Sequence, residues 1–339
     1  MTRRTAWVAL ALGLACVVGS LLALRLGVAE GTAQIVWEIR APRVAMALLV
    51  GGGLGAAGAL MQGSLSNPLA DPALVGISAG AALATVAGAA VGLTFGSLGA
   101  GLTATVGAGA AAAVVVLASQ HDGRPEVVTL LLAGVAVTAF AGALLAVLVT
   151  MTPVASGRSL TFWSSGSLAL STWPAVTSVL PFALLGGATA AYVARSLDVL
   201  ALGDRSAAAA GVDVRRVRIA ALAAVVLLVG AGVGAVGVIA FVGLLVPHAV
   251  RAVLGPRHRG LLLVSALAGA LLLLVADTVA RLLANPLELP IGAVTAAIGA
   301  PAFFVSSAGA GRGRRCARRR PATGSCRRHS RSRDRKSVV

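Results

Sequence analysis

The sequence holds one lysine, one tyrosine, three cysteines and 11 acidic residues in 339 positions, and each scarcity excludes something. The lone lysine, Lys336, stands next to the C-terminus, so no Gly-rich turn can supply the lysine that a phosphate-binding loop requires. ATP hydrolysis by that route is excluded. Cys16, Cys316 and Cys326 have no plausible pairing, so no disulfide framework is expected. No HExxH pair, no GxSxG elbow and no Cys/His cluster occurs in the body of the chain. Charged residues make up 12%, against about 25% in soluble domains, which excludes an ordinary soluble enzyme and a disordered regulator.

What is abundant is apolar surface. Hydrophobic residues are 58% of the chain, glycines number 42 and the mean hydropathy is +0.94. The net charge of +17 would by itself suggest a nucleic-acid binder. Its distribution says otherwise, because residues 309–339 hold 12 of the 28 basic residues and one of the 11 acids. The chain thus divides into a membrane body, 1–308, and a basic tail, 309–339, too polar to bury a core and expected to be disordered.

A hydrocarbon core of about 30 Å needs about 20 apolar residues per helix. Candidates lie near 6–28, 43–62, 73–92, 97–118, 127–150, 175–196, 218–243, a short one at 244–255, 261–283 and 291–308. The expected fold is an all-α polytopic membrane protein with about ten transmembrane helices. Glycines inside the runs, as at Gly51-Gly52-Gly53-Leu54-Gly55, suit close helix packing better than phosphate binding. The first run follows Arg3 and Arg4 like a secretory signal, but it is too long for one and lacks a clean cleavage site.

Charge supplies an orientation. With the N-terminus inside, the inner segments hold Arg3, Arg4, Arg124, Arg205, Arg215, Arg216, Arg218, Arg257, Arg259 and the tail, whereas the outer ones hold Arg40, Arg43 and Arg158. That obeys the positive-inside rule with both termini cytoplasmic. Trp37, Trp163 and Trp173 then fall in outer loops and Trp7 at the inner start of the first helix, as in an interfacial aromatic belt.

Few residues could carry chemistry. Asp277 and Arg281, four apart on one helix face, can form a structural ion pair or serve a proton pathway. His248 follows Pro247 at an expected helix break and reads as structural. Cys316, Cys326 and His329 are too few and too widely spaced for zinc, so no metal site is expected.

The loops say more. Asn67-Pro68-Leu69-Ala70-Asp71-Pro72 is a cytoplasmic turn stiffened by two prolines. In 197–217, Asp204 suits an N-cap and Gly211 a C′ position, which frames a short helix over 205–210, and Asp213 could cap a second. Short helices under a membrane domain suit docking into a partner's groove, or act as an ordinary amphipathic connector.

In order along about 270 residues stand Ile39-Arg40-Ala41-Pro42-Arg43, the Asn67–Pro72 turn with Gly76-Ile77-Ser78-Ala79-Gly80-Ala81, and Leu130-Leu131-Leu132-Ala133-Gly134-Val135. Trp163-Ser164-Ser165-Gly166-Ser167, Leu200-Ala201-Leu202-Gly203-Asp204, Gly211-Val212 and Phe241-Val242-Gly243-Leu244-Leu245-Val246-Pro247-His248 follow. Ala276-Asp277 with Arg281, Glu288-Leu289-Pro290-Ile291-Gly292 and Ile298-Gly299-Ala300-Pro301 complete the set. Together they resemble the FecCD-type permease family, membrane subunits of ATP-driven importers for iron–siderophore complexes, haem and vitamin B12.

The resemblance implies a transport subunit, not an enzyme, with no cofactor of its own and ATP on a separate subunit. It implies a second permease subunit (homodimer or heterodimer), two ATP-binding subunits and an extracytoplasmic substrate-binding protein, in the lipid of the cell membrane. Nucleic acid is disfavoured as a partner. Carried onto this chain, the family's docking arginines fall on Arg40, Arg43 and Arg281, for which interfacial anchoring of the second helix is the alternative at Arg40 and Arg43. The cytoplasmic gate falls on Asn67 and Leu69, and Val127 and Val128 stand where some members carry hydroxyl residues. Short cytoplasmic coupling helices between helices 6 and 7 would meet the ATPase through Gly203, Asp204, Arg205, Gly211 and Val212.

The tail departs from the family, whose members end soon after the last helix. It could contact anionic lipid or nucleic acid, or be a functionless, frame-shifted end, the reading favoured here. Asn285-Pro286-Leu287-Glu288-Leu289-Pro290 echoes the Asn67–Pro72 spacing on the opposite face, as an inverted repeat can. A stand-alone secondary transporter with ten helices is the rival function, and a membrane scaffold holding nucleic acid through the tail a third.

Overall fold

The computed structural model describes residues 3–26, 32–121, 124–125, 127–151, 160–283 and 289–301. Each of the ten apolar segments contains a helix. They are α1 (Arg3–Arg25), α3 (Ala41–Ser64), α4 (Ile77–Ala90), α5 (Leu98–Ala118), α6 (Val127–Met151), α8 (Trp173–Leu200), α10 (Val214–Val236), α11 (Val242–Leu254), α12 (His258–Leu283) and α13 (Ile291–Pro301). Between them lie the short α2 (Ala33–Ile35), α7 (Leu160–Ser165) and α9 (Asp204–Ala209). A π-helical turn over Val36–Arg40 joins α2 to α3, and a 3-10 turn over Pro72–Val75 precedes α4. Among the described residues the only strand pairing is a bridge of Gln120–His121 with Arg124–Pro125.

Seven of these helical runs are long and apolar enough to cross a membrane, whereas α4, α11 and α13 are shorter. Their ends follow local chemistry. Ser97, Thr172 and Asp213 accept from the backbone N–H three residues on, at 3.1, 3.4 and 3.0 Å, and so cap α5, α8 and α10. Pro42 and Pro174 sit in first turns, where a missing N–H is harmless.

α3 is the axis of the molecule. Its Gly51-Gly52-Gly53-Leu54-Gly55-Ala56-Ala57-Gly58 stretch has seven small residues out of eight, and α12, α10, α11 and α8 all pack on α3. A Cβ at Gly55 would overlap the Ser265 carbonyl, one at Gly58 the Gly243 carbonyl, and one at Gly269 the Gly51 carbonyl. Backbones meet directly there, which is how apolar helices gain van der Waals contact without a hydrophobic drive between them. α1, by contrast, lies on the outside, with Trp7, Leu10, Leu14 and Leu21 exposed.

Between α10 and α11 the chain is irregular, and its backbone pairs with α7 and the residues just after it, which in turn pair with the start of α13. Val238 N–H donates to the Trp163 carbonyl at 3.1 Å, Ser167 N–H to Val236 at 2.9 Å, and Ile291 N–H to Gly166 at 3.0 Å. Irregular backbone at membrane depth survives only when protein pairs it in this way. Gly166 makes the close approach possible, since a Cβ there would sit 2.8 Å from the Val238 carbonyl oxygen and its φ is +65°.

Two expectations are corrected. Trp163 is no belt residue: the Gly166 turn folds it inward, fully buried between Phe95 and Phe162 at centroid distances of 5.7 and 5.2 Å. Pro247 does not break a helix ahead of His248. α11 runs through both residues, and the interruption lies earlier, at Phe241, whose φ of 68° starts α11 from the left-handed region.

Candidate docking, gate and coupling sites

Two clusters of polar residues sit at opposite ends of α3. At the Trp37 end, Asp277 on α12 is fully buried and gathers cations. Arg43 Nε and Nη2 each approach Asp277 Oδ1 to 2.8 Å, and Arg281 Nε lies 3.3 Å from Oδ2. Arg40, on the π-helical turn, is itself buried and donates through Nη1 to the Leu24 carbonyl at 3.0 Å. Arg281 Nη2 donates to the Ala23 carbonyl at 3.2 Å. These carbonyls belong to the last turn of α1, whose unpaired C=O groups and dipole favour cations. The three arginines named from the sequence thus share one site, committed largely to Asp277 and the end of α1. Beside it Trp173 Nε1–H donates to the Trp37 carbonyl at 3.0 Å and the rings meet at a tilt of 42° with centroids 5.3 Å apart, with Trp37 exposed.

At the Asp204 end, α3 finishes at Ser64 and the proline-bounded turn follows. Asn67 Oδ1 accepts the Leu69 N–H at 3.0 Å, an Asx turn that presents Leu69 to solvent, half exposed. Asp71 turns inward. Its Oδ1 accepts the Ala73 N–H at 2.8 Å and caps the 3-10 turn, while Oδ2 is buried without a hydrogen-bond partner. Burial raises its carboxyl pKa to about 6, against the lowering pull of the Ala73 N–H. Val128 is exposed in the first turn of α6, and the Val127 side chain lies outside the described residues.

α9 stands proud of the bundle. Gly203, Asp204, Arg205 and Gly211 are exposed, Val212 is partly buried, and Ala207 alone on α9 is fully buried as its anchor. Gly211, at φ 79°, takes the C′ position expected of it. Asp204 is not the N-cap: Gly203 holds that place, and the Asp204 carboxylate is drawn away to Arg218 at 2.9 Å. Asp213 caps α10 itself, with no separate second short helix between them.

Sequence reasoning missed three residues here. Arg218 Nε also donates to the Ser64 carbonyl at 3.2 Å. Asp198, at the end of α8, accepts from both the backbone N–H of His258 at 2.6 Å and its Nδ1 at 2.9 Å, tying α8 to the start of α12. The buried ring of His258 then lies where any side chain on Gly63 would be. The only signal was charge near helix ends, which does not specify a partner 60 or 154 residues away. Among the described residues no group of three or more His, Cys, Asp or Glu gathers as for a metal. Cys316, Cys326, His329, Glu288 and the tail lie outside them.

The FecCD transport family model matches residues 6–307. The cobalamin import system permease protein BtuC of Halobacterium salinarum is 43% identical over 287 residues, 83% of this chain and 75% of its own. The hemin transport system permease protein HmuU of Yersinia pestis is 40% identical, covering 79% of this chain and 82% of its own. The Fe(3+) dicitrate transport system permease protein FecD of Escherichia coli is 41% identical, covering 79% and 83%. Among solved structures, an inward-facing conformation of a metal-chelate type ABC transporter superposes with a TM-score of 0.78 at 29% identity, covering 89% of this chain and 98% of that one.

Proposed function

The chain belongs to the FecCD transport family, and on that premise we propose how this permease subunit of an ATP-driven importer works. It is a multi-pass protein of the cell membrane, a transport subunit and not an enzyme, and ATP is used by partner ATPase subunits. The cargo is an iron–siderophore complex or a haem- or cobalamin-like ligand, delivered by a binding protein. Ten spans run with both termini in the cytoplasm, which puts the Trp37 end outside and the Asp204 end inside. One second permease and two ATPases complete the complex. The permease domain is 1–308, and the tail 309–339 adds nothing to transport.

The observation that carries this reading is the exposed α9, held to the bundle by Ala207 and bracketed by Gly203 and Gly211, at the opposite end of α3 from the arginine cluster. An ATPase docks on α9. Asn67 and Leu69, on the turn that α3 leads into, form the inner gate. At the outer end Arg43 and Arg281 share the one carboxylate of Asp277 while Arg40 lies against the end of α1, and the surplus positive charge of the three receives acidic groups of the binding protein.

The test is co-purification. Expressed with its ATPase, the chain should hold it through detergent extraction, and Ala207→Asp, which puts a carboxylate into α9's anchor, should release it. A chain that binds no ATPase would remove the reading and favour a stand-alone carrier. Truncation after residue 311 should leave uptake unchanged, and a clear loss of transport would restore a role to the tail.

A further inference from the structure

We propose that Arg218 is the strut that transmits movement of α9 to the inner gate. The inference rests on the permease reading above, and specifically on α9 as the ATPase contact.

One guanidinium joins two elements that share no other described side-chain hydrogen bond. Nη2 meets Asp204 Oδ1 at 2.9 Å, in the first turn of α9, and Nε donates to the Ser64 carbonyl at 3.2 Å, on the last residue of α3. Ser64 stands three positions before Asn67. The planar fork of arginine suits this task because its donors are fixed relative to one another, so a shift of one partner is felt by the other. Lysine, a point charge on a flexible stem, would hold one partner at a time.

The surroundings separate a moving link from a static one. Arg218 borders an apolar cleft of about 90 Å³, partly open to the exterior and lined also by Met61, Leu65, Val75, Leu130 and the exposed Ile219, so the end of α3 and the Pro72–Val75 turn have space on that side. The His258 ring, by contrast, packs directly against Gly63 and is fixed by Asp198. Closely packed contacts resist continuous deformation, and displacement is taken up where a void permits it. The Arg218 side can therefore move while the His258 side acts as its fulcrum. Displacing α9 draws Asp204, Asp204 draws Arg218, and the Ser64 carbonyl carries the displacement into the turn bearing Asn67 and Leu69.

The test uses the full complex with its ATPase, the native cysteines replaced by serine, and Leu69→Cys as reporter. A charged maleimide reads its labelling rate before and after trapping with ATP and vanadate. With Arg218 present, trapping should change the rate about fivefold or more. R218M should reduce that change to under about twofold while vanadate still traps nucleotide, and R218K should fall between. D204N should show the same loss, and the R218M/D204N pair no more than either alone. An undiminished change in R218M, or additive losses in the pair, would overturn the strut. Should R218M fail to assemble, R218K and D204N decide by the same criterion. A Leu69→Cys rate indifferent to trapping with Arg218 intact would remove the gate assignment and the strut together. Failure to recover any ATPase would instead remove the permease reading.

Discussion

The two ends of α3 use arginine and aspartate in opposite ways. At the Trp37 end the charges are withdrawn from solvent: Asp277 is fully buried, the Arg43 and Arg281 side chains are 13% and 17% exposed, and several donors converge on one carboxylate. At the Asp204 end Arg218 pairs with Asp204 where their side chains are 28% and 50% exposed, and each group has water within reach. Buried ion pairs are strongly destabilising to break because a charge is left without solvent, whereas exposed pairs contribute little. The same residue types thus make a lock at one end and an adjustable link at the other.

Breaking the lock should have the largest effect. Asp277→Ala leaves Arg43 and Arg281 without their counter-charge, and a loss of about 3–5 kcal/mol is expected, read as a large fall in Tm in detergent. An unchanged Tm would refute the lock. The structure also shows that charge reversal at Arg43, the obvious test of docking, sets a second carboxylate beside Asp277 and reports stability instead. Arg43→Gln paired with Asp277→Asn removes both charges and leaves docking affinity readable.

Asp71 is a third arrangement, a buried carboxylate at the Asp204 end with a backbone N–H but no hydrogen bond to Oδ2. Its pKa is raised from 3.8 to about 6, so the folded state holds a proton that the unfolded state releases. Its contribution is fully present below about pH 4 and lost as pH rises through about 6, up to about 3 kcal/mol in all. Unfolding followed across pH 4 to 7 should show that decline, and Asp71→Asn should flatten it. A wild-type curve already flat in this window would contradict the burial argument.

The smaller effects sharpen the contrast. Asp204→Asn should cost under about 1 kcal/mol of stability, yet break the dependence of ATPase rate on substrate. Normal coupling in that variant would remove Asp204 from the site. Trp173→Phe loses one exposed hydrogen bond to the Trp37 carbonyl, and about 0.5 kcal/mol is expected in a chemical unfolding midpoint.

Hydropathy exposed the ten apolar segments because lipid imposes length and composition on each helix independently. Gly211 was readable for a similar reason, since a positive φ at a helix end selects glycine locally. A tryptophan in an apparent loop looks interfacial, and it is the Gly166 turn and the pairing of this segment with Val236, Val238 and Ile291, far along the chain, that turn Trp163 inward. Arg218 was counted as one more inner charge. Its importance depends on meeting Ser64 and Asp204 together, a coincidence of packing that no local pattern records. Arg40, Arg43 and Arg281 were found through family resemblance, but their convergence with the end of α1 emerged only from the geometry.

The central claim is that this chain moves its cargo by energy taken from a partner's ATP. Proteoliposomes containing the permease, its ATPase and its binding protein, assayed in turn with iron(III)–hydroxamate, iron(III)–citrate, haemin and cobalamin, test it most directly. Accumulation of one of these that requires ATP, the ATPase and the binding protein together is the expected result. Accumulation by the chain alone, driven by an ion gradient and indifferent to ATP, would contradict it.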